Sequence, residues 1–135
     1  PRAIRDVYKR QKFDTMTARW QSWRRRVIAW WRQQPEVTVD DAPMTSPSII
    51  HLSVAGARGT DLVMLADRDG VDLSAGSACH AGVSRPSPTM LAMGRDDDAA
   101  SSGLRISMGY TTTDVDIDRL LVTLPATIRK ASGAR

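Results

Sequence analysis

One cysteine, Cys79, in 135 residues excludes an internal disulfide. That fits a reducing compartment, and a cytoplasmic location is the expectation; no signal-peptide pattern opens the chain. No stretch approaches the ~18 consecutive apolar residues of a membrane span, so no membrane partner is expected. Internal repeats and low-complexity tracts are absent. Lysine is scarce, at three residues (Lys9, Lys12, Lys130), and phenylalanine and tyrosine together contribute three more. What remains is ordinary for a globular protein: 41% hydrophobic and 25% charged residues, enough to bury the core of one domain without staples.

The formal charge of +4 and a pI near 9.8 hint at an acidic partner. Two features weaken the hint. Sixteen of the 19 basic residues are arginine, a bias that codon composition can produce without selection for a nucleic-acid surface. In addition, Asp6 to Gln11 reads as a translated transposon-end adapter, which makes residues 1–11 an expected non-native segment. Arg2, Arg5, Lys9 and Arg10 lie there against one acid, Asp6, and supply most of the net charge. No nucleic-acid partner is expected.

From Asp14 to Gln34 the apolar residues Trp20, Trp23, Val27, Trp30 and Trp31 fall on one helical face, with Asp14 or Thr15 as cap and Pro35 as stop. Residues 36–40 alternate as a short strand, and 48–54 read as a buried one. Thr60 is placed as the cap of a second helix that closes at Gly70, and Val71 to Ser74 as a further strand. Ser87 and Pro88 suit the N-cap and first position of a short helix closing at Gly94, and Asp96 to Ser102 can form one helical turn. Leu104, Ile106 and Met108 alternate with Arg105 and Ser107 as a strand. Thr113 and Asp116 have capping-box spacing before a last helix. Its apolar face holds Val115, Ile117, Leu120, Leu121, Leu124 and Ile128, and Pro125 is expected to kink or divide it. The fold class is α+β: a small, largely antiparallel sheet with helices on one face. The organisation expected is a long interdomain helix over 12–35, a small domain over 36–131 and a tail over 132–135.

The string LSAGSACHAGVSRPS (residues 73–87) presents one thiol among small side chains. Gly76 and Gly82 flank it and permit positive φ. A nucleophilic cysteine needs access and a stabilised thiolate; a lone cysteine is also commonly a small buried hydrophobe. Composition leaves both readings of Cys79 open. His80 is adjacent, but neighbours in an extended loop point apart.

Three blocks, SAGSACHAGVSRPSPTMLAMG (74–94), SSGLRISMG (101–109) and YTTTDVDID (110–118), resemble NifS/IscS-type cysteine desulfurases of the class V aminotransferase family in letters and in spacing. Weaker agreement extends the resemblance over roughly residues 14 to 131. It implies the C-terminal small domain of an enzyme that takes sulfur from L-cysteine, giving L-alanine and a cysteine persulfide, with pyridoxal 5'-phosphate as electron sink. Cys79 aligns with the sulfur-accepting nucleophile, on a mobile loop that includes Gly76, Ser77, Ala78, His80 and Gly82. Arg105 aligns with the arginine that holds the substrate carboxylate, a task suited to the planar guanidinium fork. No lysine sits in the family's cofactor-lysine motif, so no cofactor-binding residue is expected within this chain, and the chain alone is expected to be inactive. The resemblance also implies a homodimeric parent and a sulfur-acceptor or scaffold protein in iron–sulfur or thiolation pathways. Selenocysteine lyase and other class V enzymes remain alternatives. Arg85, Arg58 and Thr60 depart from residues that are often acidic in the family.

Other features weigh toward bland roles. The tryptophan helix can be read as a basic Trp-rich module for membrane or nucleic acid, but its stripe has the ordinary packing period, with a partner surface expected partly outside the chain and Arg24 to Arg26 as a solvated face. His51 reads as a structural strand histidine. Cys79 and His80 do not make a metal site by themselves, and no metal is expected. Asp96 to Asp98 read as a solvated capping turn.

Overall fold

The computed structural model describes residues 2–76 and 85–133, apart from the side chains of 2–11 and 133. The elements run α1 (Arg2–Trp31), β1 (Val37–Asp40), β2 (Ile49–Val54), α2 (Gly59–Arg68), β3 (Ser74–Ala75), α3 (Pro88–Ala92), α4 (Asp97–Ser101), β4 (Gly103–Ser107) and α5 (Asp114–Gly133). The four strands form one antiparallel sheet in the order β1-β2-β4-β3, as the alternation of short strands and helices anticipates.

Side chains alternate across a strand, so the register sorts the sheet into two faces. Ile50, Leu52 and Val54 of β2 share a face with Leu104 and Ile106 of β4, all buried. Onto this face pack Trp20, Trp23, Val27 and Trp31 of α1, Leu62 and Ala66 of α2, and Ile117, Leu120, Leu124 and Ile128 of α5. Burying each large apolar side chain contributes about 1.5–3 kcal/mol. The two short helices lie apart: their buried residues Met90 and Ala100 are not part of the main core cluster. They border the other face of the sheet.

Several local expectations are corrected. α1 continues without a break through Asp14 and Thr15, so neither is its cap. Its tryptophan stripe packs within this chain, where α5 supplies the apolar surface it needs. Arg24 is buried rather than solvated. It sits one turn from Trp20 and Ile28, and its guanidinium donates to the carbonyls of Ser46 (3.3 Å) and Ile49 and to the Asp41 carboxylate (2.8 Å). Arg25 and Arg26 are exposed as anticipated.

α2 starts at Gly59 with Arg58 as N-cap and no side-chain capping bond, so Thr60 lies inside the helix. The early start follows from packing. A Cβ on Gly59 would stand 2.5 Å from the Gly103 carbonyl oxygen, so only glycine lets α2 approach β4 this closely. The strand placed at 71–74 is reduced to Ser74–Ala75, with Val71 and Leu73 packed against the core instead.

α5 is undivided through Pro125. Val115 is 73% exposed, because it falls opposite the stripe of Ile117, Leu120, Leu124 and Ile128. The capping box forms: the Asp116 carboxylate accepts from the Thr113 N–H (2.8 Å) and hydroxyl (2.8 Å), and Thr113 Oγ1 accepts from the Asp116 N–H (3.3 Å). These bonds to its charged form hold Asp116 below the usual carboxylate range.

Candidate active site

On the face opposite the main core, the register aligns four polar residues in one row across the sheet. Asp40 pairs with His51, His51 with Arg105, and Arg105 with Ser74. The row follows from sequence phase: His51 and Arg105 each stand between apolar residues that face the core. Together with α3 and the turn after it, Asp40, His51 and Arg105 of this row line a cleft of about 700 Å³, to which Gly76, Ser87, Thr89, Met90, Met93 and Arg95 also contribute.

Charges in the cleft are unevenly matched. The Asp40 side chain is only 10% exposed and carries two partners: it accepts from His51 Nδ1 at 2.7 Å and pairs with the Arg95 guanidinium. Arg105 is half-buried on the central strand and forms no ion pair or side-chain hydrogen bond among the described residues. A half-buried guanidinium with no carboxylate partner among the described residues can receive an anion from outside. Its fork takes a carboxylate through two parallel hydrogen bonds.

The sequence-derived site residues divide accordingly. Arg105 lines the cleft, and so does Gly76, whose φ of +48° lies in the left-handed region that favours glycine. Cys79, Ser77, Ala78, His80 and Gly82 lie outside the described residues. The chain enters their segment from Gly76, whose N–H donates to the Gly103 carbonyl at 3.1 Å. It returns through Arg85 and Pro86 to Ser87, whose N–H donates to the Ala100 carbonyl at 2.9 Å. Ser87 and Pro88 open α3 as anticipated, although no side-chain capping bond forms.

Sequence reasoning assigned no site role to Asp40, His51 or Arg95. The available signal was phase: His51 occupies a polar position inside an apolar strand, in the same alternation as Arg105. Pairing it with Asp40 required the β1–β2 register, and Arg95 reaches Asp40 from the far side of a turn.

A family profile described as Aminotransferase class-V matches residues 2–120. An IscS-like cysteine desulfurase of Mycobacterium tuberculosis is 40% identical over 94 residues, covering 70% of this chain and 24% of that protein. A cysteine desulfurase of Cereibacter sphaeroides is 44% identical over 69 residues, 51% of this chain and 18% of that protein. Among solved structures, a NifS-like protein superposes with a TM-score of 0.74 at 16% identity, covering 89% of this chain and 30% of the other. The NifS-like protein of Rickettsia africae gives 0.70, also at 16% identity, covering 84% and 29%. These structural likenesses establish the fold. The chain thus spans about a quarter of the length of the curated relatives it matches.

Proposed function

Since the chain belongs to the class-V aminotransferase family, we propose that it is the small domain of a cysteine desulfurase, in which Arg105 binds the carboxylate of L-cysteine and Cys79 accepts its sulfur. The observation that carries this reading is the Arg105 guanidinium in the cleft, unpaired among the described residues, on the strand beside the one that leads into the Cys79 segment. The reaction balances without an external oxidant: L-cysteine and the enzyme thiol give L-alanine and the enzyme persulfide. The carbon that loses sulfur gains a proton, and the sulfur joins Cys79.

The family's pyridoxal phosphate supplies an electron sink for that bond cleavage when bound. The described residues do not fit it as a covalent partner. Lys12 lies over the Tyr110 ring, Lys130 pairs with Asp69, and no lysine lines the cleft. The cofactor lysine therefore belongs, in this proposal, to residues beyond this chain. Residues 12–35, of which those to Trp31 belong to α1, then lead from that larger part, and 36–131 form the domain carrying the sulfur loop. The sulfur passes to an acceptor or scaffold protein, and the parent enzyme is a homodimer.

The reading of the tryptophan helix as a nucleic-acid or membrane module loses its basis. Trp20, Trp23 and Trp31 are buried in the core and present no surface.

The test is a full-length enzyme carrying this sequence, given L-cysteine, with alanine release and persulfide on Cys79 followed by mass spectrometry. Cys79→Ser abolishes both. Arg105→Lys raises KM by at least ~10-fold, because an ammonium cannot reproduce the bidentate fork. Persulfide formation on another residue in the Cys79→Ser enzyme, or an unchanged KM in Arg105→Lys, overturns the assignment.

A further inference from the structure

The Asp40–His51 pair lies in the cleft next to Arg105, and the carboxylate reading gives it no task. Asp40 is nearly buried and, as a carboxylate, only accepts hydrogen bonds. Its contact with His51 Nδ1 at 2.7 Å is therefore an Nδ1–H donation. Arg95 binds the other carboxylate oxygen, which fixes the acid's orientation. A neutral imidazole that donates through Nδ1 has Nε2 as its acceptor.

The ring's position is held as well. A Cβ on Gly103 would stand 3.1 Å from His51 Nε2 and 3.2 Å from Cε1, so the imidazole rests directly over a glycine of β4. Nε2 has no hydrogen-bond partner among the described residues. The charged groups around the ring are Asp40 on β1, Arg95 on the turn after α3, Arg105 on β4 and, at the cleft edge, Asp41. The cleft thus sets the Arg105 guanidinium beside His51 Nε2, an acceptor in the neutral ring, in adjacent strand positions about 5 Å apart at Cα. An α-amino acid zwitterion has the complementary pair: a carboxylate and, on the next carbon, an ammonium that only donates.

We propose that His51 is a specificity-determining residue that takes a hydrogen bond from the substrate's α-ammonium through Nε2 while Arg105 holds the carboxylate, with Asp40 and Arg95 as positioning residues that fix the ring's tautomer. The proposal rests on the carboxylate role of Arg105. It makes the cleft selective for α-amino acids over simple carboxylates.

The test uses this chain labelled with 15N and two probes, L-alanine and propionate, which share a carboxylate and differ in the ammonium. Long-range 1H–15N spectra at pH 8.5 give the tautomer, and chemical-shift titrations give the affinities. The expected result is an Nδ1–H tautomer at His51. His51→Phe weakens L-alanine by about 10-fold, the range of a hydrogen bond to a charged group, and leaves propionate within about 2-fold. Asp40→Asn keeps the ring but releases the tautomer, and reduces the same selectivity. An Nε2–H tautomer in the unmodified chain, or equal losses for both probes in His51→Phe and Asp40→Asn, overturns the proposal. Arg105→Gln separates the two readings: it weakens both probes if Arg105 binds carboxylate. If it weakens neither, the carboxylate reading fails, whatever the His51 tautomer.

Discussion

The Trp23 indole N–H donates to the Asp114 carboxylate at 2.7 Å, joining the middle of α1 to the first turn of α5. Trp23 is buried and Asp114 is exposed, so one bond links the core stripe to the surface. Arg19 reinforces it, binding the other carboxylate oxygen at 3.2 Å and lying 4.8 Å from the Trp23 ring centre. Trp23→Phe keeps most of the apolar contact and removes the donor. It is expected to lower stability by about 1 kcal/mol, toward the low end for a charged acceptor because water competes at the exposed carboxylate. Chemical denaturation of the two proteins measures the difference.

The same carboxylate makes the helix pair sensitive to acid. The Trp23 hydrogen bond, followed by Arg19, holds Asp114 below the ordinary aspartate range, and the Thr113 hydrogen bonds do the same for Asp116. Both pKa values are lower folded than unfolded. Their stabilisation is therefore complete above the unfolded value of about 3.9 and is lost as pH falls through the folded ones. The expected outcome is a loss of stability below about pH 4 that is smaller in an Asp114→Asn, Asp116→Asn double variant. Thermal melts between pH 2 and 6 check it; parallel pH curves for both proteins count against these two residues.

Arg24 supports the β1–β2 connection from below. It donates to two carbonyls of the Ser46–Ile49 stretch and pairs with Asp41, which also receives Arg32 at 3.1 Å. Arg24→Met retains much of the stem and deletes the charge. The expected cost is about 2 kcal/mol, with Asp41 left to Arg32 alone. Hydrogen exchange at Ile49 and its neighbours should rise locally. A purely global loss of protection would mean that Arg24 contributes by packing.

Gly59→Ala tests the closest approach between a helix and the sheet. The new Cβ would meet the Gly103 carbonyl at 2.5 Å and the Ala75 Cβ at 3.2 Å, and the first obstacle is backbone that cannot rotate away. Overpacking of this kind costs about 1–3 kcal/mol. Because Gly103 also underlies His51, the substitution should shift the His51 ring resonances as well as the melting temperature. Unchanged His51 resonances would show that α2 moves instead of β4.

Much of this architecture is legible in the sequence. The periods of 2 and 3.6 locate both main strands and both long helices, and Gly70 and Gly94 close their helices with positive φ as their positions suggest. Asp96 and the Thr113–Asp116 box cap where their spacing implies. What was not legible depends on contacts distant in sequence. Arg24 lies in a run of three arginines, and beyond its helical phase with Trp20 and Ile28 its burial rests on the carbonyls of Ser46 and Ile49 and on Asp41. Val115 has the right polarity for the core and the wrong angle, which the start of α5 decides. Gly59 begins α2 because β4 leaves no room for a side chain. Within the site, Arg105 could be singled out through its motif, whereas His51 gained a partner only when the register set Asp40 across from it. The family resemblance that motif carried is matched by the class-V profile over residues 2–120.

The two backbone bonds that bracket residues 77–84 end on nearly the same place. Gly76 is tied to Gly103 at the start of β4 and Ser87 to Ala100 near the end of α4, so the departure and return points of that segment are fastened three residues apart in sequence. The ends of the segment are thereby held at a set spacing by backbone bonds alone. The row from Asp40 to Ser74 is set by pairings of the four strands, all among the described residues. In the proposed reading, carboxylate recognition by Arg105 and sulfur acceptance by Cys79 then belong to separate parts of the chain, joined only where the sheet holds the segment's two described ends.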